Sequence, residues 1–153
     1  MSRSGYTDDC EHLEMWRGAV RSAMRGARGQ AFLRELAATM DAMPEKALAA
    51  DSLVDADGDF CTLGVIGNAR GIDMSKIDPD DYFHVAESFG IARAMAQEIM
   101  YENDEAAAHG RYVDGKWTHV DETPQERWQR MRAWVGKHLT EAASTSSTQG
   151  KTR

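Results

Sequence analysis

Arg17, Arg21 and Arg25 recur at every fourth residue and Arg28 follows three positions later. On helical backbone that spacing lines their guanidinium groups into one stripe. Guanidinium groups in a row pair with phosphates or with the carboxylates of a partner. The opposite sign is concentrated elsewhere: the stretch from Asp78 to Glu126 holds twelve acidic residues against three basic ones. Glu98, Glu102, Asp104 and Glu105 lie within it, and an acidic surface of this kind suits a protein that competes for a basic, nucleic-acid-binding surface on its target. These four acids and the four arginines are the candidate partner-binding residues. The plainer reading is solvated helix faces, with Glu14, Glu35 and Asp41 neutralising part of the arginine stripe.

Other constellations match known chemistry less well. Asp55, Asp57 and Asp59 alternate like the opening of a calcium loop, but Phe60 stands where glycine must follow the third acid and Ile66 where a bidentate glutamate belongs. A solvated turn is the better reading. Gly64, Gly67 and Gly71 do not reproduce a dinucleotide fingerprint, which needs a strand before the glycine turn. The histidines His12, His84, His109, His119 and His138 show no zinc-site spacing, and only His109 and His119 could meet across a hairpin. Cys61 beside a histidine would satisfy the formal needs of a thiolate nucleophile, yet its neighbours argue for burial. Glu102, Asp104 and Glu105 would serve acid/base chemistry only in environments that push their pKa values apart. No catalytic, metal or nucleotide motif emerges, and no cofactor is expected.

The segment from Val85 to Ile99, within a unit spanning 79–103, has the rhythm of a helix-turn-helix around Gly90. Its would-be reading helix offers Arg93 alone against Glu98, Glu102, Asp104 and Glu105, a balance that repels phosphates.

These side chains need a scaffold, and 153 residues suffice for one core without disulfides or metals. At 42% hydrophobic and 28% charged the chain has an ordinary globular composition. A single helical domain over 1–141 is expected, followed by a tail at 142–153 too polar to fold. Cys10 and Cys61 are expected as free thiols, with Cys61 buried. The net charge of −7 opposes binding to bulk nucleic acid. No apolar run approaches the ~20 residues needed to cross a bilayer and the start lacks a secretory layout, so a cytoplasmic protein without a membrane partner is expected.

Periodicity predicts a mainly α fold of five to six helices with one or two short β-hairpins. A first helix over 11–25, capped by Asp8 or Asp9, buries Leu13, Trp16, Val20 and Met24. Gly26 and Gly29 break it, and a second helix over 30–43 pairs antiparallel with it and stops before Pro44. A short hairpin is expected around Asp55–Asp59, then a helix over 61–70 ended by Gly71. Glycines 64 and 67 inside that helix imply a close backbone neighbour. Asp78-Pro79 opens a helix to Ser88, and another runs over 92–103. A hairpin turns at Asp114-Gly115, and Thr123-Pro-Gln-Glu126 forms a capping box before the last helix.

Five blocks carry a likeness: Arg3-Ser-Gly-Tyr-Thr-Asp-Asp9, Asp41-Ala-Met-Pro-Glu-Lys46, Ala69-Arg-Gly-Ile-Asp-Met-Ser75, Ile99-Met-Tyr-Glu-Asn-Asp-Glu105 and Thr123-Pro-Gln-Glu-Arg-Trp128. They resemble a group of small, uncharacterised proteins encoded by bacteriophages and prophages. The resemblance implies the host cytoplasm during infection, and no assigned activity comes with it. The expected function is a small acidic binding protein that modulates or inhibits a host protein through its charged surfaces, with anti-defence as one such role. The first alternative is a nucleic-acid-binding regulator using the arginine stripe or the 79–103 unit, and the second is a small enzyme of unknown reaction.

Overall fold

The computed structural model describes residues 3–6, 12–107 and 109–140. Cys10, the proposed caps Asp8 and Asp9, and the tail at 142–153 lie outside them. The fold is mainly helical: α1 (Leu13–Arg25), α2 (Ala27–Asp41), α3 (Thr62–Arg70), a short 3-10 turn (Met74–Lys76), α4 (Tyr82–Phe89), α5 (Arg93–Asp104), strands β1 (His109–Val113) and β2 (Lys116–Val120), and α6 (Pro124–His138). One core joins the helices, with Leu33, Leu36, Met40, Leu63, Ile66, Phe89, Met95, Ile99 and Met131 fully enclosed. Helix α5 is central, touching α1, α3, α4 and α6, while α2 touches α1, α3 and α6.

Local chemistry explains most boundaries. Thr123 and Glu126 form the capping box reciprocally and Pro124 occupies the first turn of α6. Asp114 and Gly115 both take positive φ, 52° and 77°, as a two-residue hairpin turn requires. Around Asp55 the expected hairpin shrinks to one bridge, Val54 to Phe60. There Asp55 Oδ1 accepts the N–H groups of Asp57 (2.9 Å) and Asp59 (2.8 Å), the self-bonded turn expected of a solvated acid cluster.

Four sequence expectations are corrected, one of them the burial of Leu13, which α1 leaves 57% exposed. The first helix starts at Leu13 with His12 before it and no side-chain cap. Gly29 does not break α2, which begins at Ala27 directly after a corner at extended Gly26. A Cβ on Gly29 would lie 2.0 Å from the Ala23 carbonyl oxygen, so its bare backbone serves the close crossing of α2 over the end of α1. Asp78 bonds the Asp80 N–H instead of capping, and α4 starts later, where Asp81 accepts from Phe83 and His84.

Gly64 meets the sequence expectation, since a Cβ there would sit 2.1 Å from the Leu53 carbonyl oxygen. Gly18, inside α1, has nothing within 4 Å of its would-be Cβ. Gly64→Ala is therefore expected to cost about 1–3 kcal/mol through overpacking, whereas Gly18→Ala should stabilise by about 0.5–1 kcal/mol. Urea unfolding midpoints measure both, and equal effects at the two sites would refute the close approach of α3 to the Leu53 backbone.

Candidate partner-binding surfaces

Helix α1 presents its arginines along one side, and the structure divides them. Arg21 and Arg25, with Arg28 at the start of α2, are exposed and make no ion pair, hydrogen bond or ring contact among the described residues. The acids that could have neutralised them are occupied elsewhere. Glu35 takes a bidentate contact from Arg70 (2.9 and 2.6 Å), and Asp41 takes one from Arg132 (2.7 and 3.0 Å). Hydrogen bonds from Arg70 and Arg132 hold the Glu35 and Asp41 carboxyls below their ordinary pKa values. Glu14, exposed, pairs with none of the arginines.

Arg28 also borders a cavity of about 210 Å³ between the α1–α2 corner and the start of α5. Gly26 and Ala92, which open α2 and α5 onto that cavity, provide no side-chain cap, and neither helix has an acid in its first turn. Two helix starts therefore add their partial positive charge to that of the arginine.

Arg17 belongs to a different arrangement. Its Nη1 lies 2.7 Å from Glu98 Oε2, and the same oxygen accepts the Tyr6 hydroxyl at 2.6 Å. Glu98 is 3% exposed. The Tyr6 hydroxyl is held protonated well beyond its ordinary range by burial and by the Glu98 carboxylate beside it. Asp104 is equally withdrawn: it accepts from Arg3 Nε (2.5 Å) and Nη2 (3.0 Å), from the Asp51 N–H (3.0 Å) and from Asn103 Nδ2 (2.7 Å). Burial pushes the Asp104 carboxyl up, but the Arg3 contacts together with the Asp51 N–H and the Asn103 amide outweigh it and hold the pKa below the usual range.

Asn103 extends this network into the core. Its Oδ1 accepts from the Thr62 N–H (3.1 Å) and hydroxyl (2.7 Å), and its Nδ2 donates to the Ala49 carbonyl (3.0 Å). On the other side Arg130 donates to the Glu102 and Asn103 carbonyls (2.6 and 3.3 Å) and grips Glu122 with two bonds (2.7 and 3.0 Å). The guanidinium thereby closes the carbonyl end of α5. Glu105 touches the Ser4 hydroxyl at 3.4 Å. Of the acids proposed as a contact surface, Glu98 and Asp104 are thus turned inward, and Glu102 and Glu105 are half-buried.

Other sequence candidates resolve plainly. Cys61 is buried and caps α3, its Sγ accepting from the Gly64 N–H at 3.4 Å, with no histidine bonded to it. The strand register pairs His109 with Val120 and His119 with Gly110, so the two histidines are not cross-strand partners. Among the described residues no three His, Cys, Asp or Glu side chains form a metal-binding group. Helix α5, the would-be reading helix of the helix-turn-helix unit, buries Met95, Ala96, Glu98, Ile99, Met100 and Asn103, while Arg93 is exposed and Ala94, Gln97 and Tyr101 are half-buried. No helix among the described residues is long and apolar enough to cross a membrane.

Comparison with protein-family models, with curated proteins and with solved structures found no match. Sequence reasoning missed Arg3, Tyr6, Asn103 and Arg130, whose roles depend on partners up to 101 positions away. No local spacing rule announces them, because Arg3, Ser4 and Tyr6 meet Asp104, Glu105 and Glu98 only through the fold.

Asp104→Asn leaves the Arg3 guanidinium without its counter-charge in a site nearly closed to water, where the two side chains are 3% and 5% exposed. The expected loss is about 3–5 kcal/mol, read from denaturant midpoints. An Arg3→Met/Asp104→Leu double variant should lose less than Arg3→Met and Asp104→Leu do singly when summed, and full additivity would deny their coupling.

Glu102 gives a test with the opposite sign. Burial, then the neighbouring Glu98, raises its pKa above 4.5. A raised carboxyl binds its proton more tightly in the folded chain, so ionised Glu102 weakens the fold above its folded pKa and ceases to do so below 4.5. Glu102→Gln should raise the thermal midpoint at neutral pH and lose that advantage as the pH falls through the carboxyl range. A lowered midpoint at neutral pH would mean that attraction to Arg130 dominates.

Proposed function

We propose that this chain is a binding protein that modulates a host protein by docking through charged surface, in keeping with its resemblance to small phage-encoded proteins. The observation that carries the reading is that Arg21, Arg25 and Arg28 make no ion pair among the described residues while Glu35 and Asp41 are bound to other arginines. Cations exposed together without internal partners are available to an anionic surface. The two uncapped helix starts beside Arg28 favour carboxylates at the same place. A net charge of −7 and the burial of Met95, Glu98, Ile99 and Met100 on α5 weigh against nucleic acid as that surface.

The test compares the wild-type protein with an Arg21→Glu/Arg25→Glu/Arg28→Glu variant of unchanged circular dichroism. A protein captured from nuclease-treated bacterial extract by the wild type and lost by the variant is the expected result. Duplex DNA titrated at about 50 and 200 mM salt gives the competing outcome. Tight binding that collapses at the higher salt and disappears in the variant would replace the protein partner with nucleic acid.

A further inference from the structure

The ribbon formed by β1 and β2 is unlike the rest of the molecule. Its strands pair chiefly with each other, and Tyr112 (73% exposed) and Trp117 (65% exposed) stand open to solvent. The two residues are direct cross-strand partners, their rings in a T-shaped contact with centroids 5.3 Å apart. Side chains two residues apart on a strand share a face, so His119 continues the aromatic surface begun by Trp117. Lys116 and Val113 fall on the opposite face. A two-stranded ribbon without a covering layer is marginal in water, and exposed tyrosine and tryptophan are the residues most enriched where proteins meet.

The surface does not end at the strands. His119 reaches a cavity of about 290 Å³ at the base of the ribbon, lined also by Asp51, Asp104, Asp121, Glu122 and Arg127. Arg3 neutralises Asp104, and Arg127 and Arg130 neutralise Glu122. Asp51 and Asp121 remain exposed and form no ion pair with a lysine or arginine among the described residues, Asp121 meeting only the His119 ring nitrogen at 3.0 Å, and Asp114 adds another carboxylate at the tip. The aromatic face is therefore bounded at both ends by exposed carboxylates that no lysine or arginine pairs with among the described residues. Phosphate is excluded by that sign, while a lysine or arginine is attracted twice, to the carboxylates and to the ring faces.

We infer that the aromatic face of the ribbon, with the acidic cavity at its base, docks a basic polypeptide segment in which lysine or arginine alternates with apolar residues. Its apolar side chains lie on Tyr112 and Trp117 and a cation enters the cavity beside Asp51 and Asp121. This surface is independent of the arginine face on α1 and α2.

The test uses fluorescein-labelled hexapeptides alternating Lys with Val, Arg with Val, and Glu with Val, followed by anisotropy. Saturable binding of a basic peptide with none of the acidic one is expected, weakened about tenfold or more by Trp117→Ala and several-fold by Asp121→Lys. Asp121 lies beyond the strands, so its reversal leaves the ribbon's pairing intact and carries the test if Trp117→Ala unfolds the hairpin. Failure of both basic peptides to bind, or affinity unchanged in the two variants, would overturn the inference. So would self-association of the wild type that Trp117→Ala abolishes and the peptides do not compete, since the occupant would then be a second copy.

Discussion

A carboxylate taken out of water must find cations or several hydrogen-bond donors, and α5 carries Glu98 and Asp104 into the body of this protein. That demand is met from three distant parts of the chain. Tyr6 and Arg17 reach Glu98, Arg3 reaches Asp104, and Arg130 from α6 covers the last carbonyls of the same helix. Because a guanidinium does not lose its proton in proteins, these pairings persist across the accessible pH range on the cationic side. They tie the N-terminal segment, the first helix and the last helix to one central element. Apolar contacts alone would let such helices slide, whereas paired charges with fixed hydrogen-bond geometry specify one register.

This constraint changes what the charge pattern of the chain means. The acidic stretch from Asp78 to Glu126 looks like a single surface on paper, but its members divide by depth. Glu98, Asp104 and Glu122 are internal cross-links, while Asp114 and Asp121 face solvent. The arginines divide likewise. Arg3, Arg17, Arg127 and Arg130 hold the fold together, and Arg70 and Arg132 clamp the acids of α2. Surface available to other molecules is what remains after these internal demands are met, and that remainder has both signs.

How far the residues announce this differs by interaction range. The capping box at Thr123, the hairpin turn at Asp114-Gly115 and the close neighbour of Gly64 are local rules, and each was legible because the geometry it needs involves few residues. The α2 start was misplaced because Gly29 signals a break locally but serves a tertiary crossing. The burial of Glu98 and Asp104 was illegible, since polarity predicts exposure unless a partner is known, and the partners Arg3 and Tyr6 lie more than ninety positions away. Exposure of Tyr112 and Trp117 was hidden for the converse reason: an aromatic residue in a strand implies a covering layer, and none covers this ribbon among the described residues.

The unpaired arginines can be weighed against stability one by one. Arg21 and Arg25 are like charges four residues apart, which disfavours a helix by a few tenths of a kcal/mol, although Arg25 in the last turn of α1 complements the helix dipole. Arg28 has no such offset. It sits in the first turn of α2, where the dipole is already positive and no acid is present. Arg93 occupies the same unfavourable position on α5 but stacks on the Phe83 ring 4.0 Å away. Among the described residues Arg28 has no ring, acid or carbonyl to compensate it, so they supply the least reason for a cation at this position. An anion held between Arg28 and the two helix starts would turn the same electrostatic conflict into attraction, which is why this residue, more than the rest of the stripe, argues for a partner.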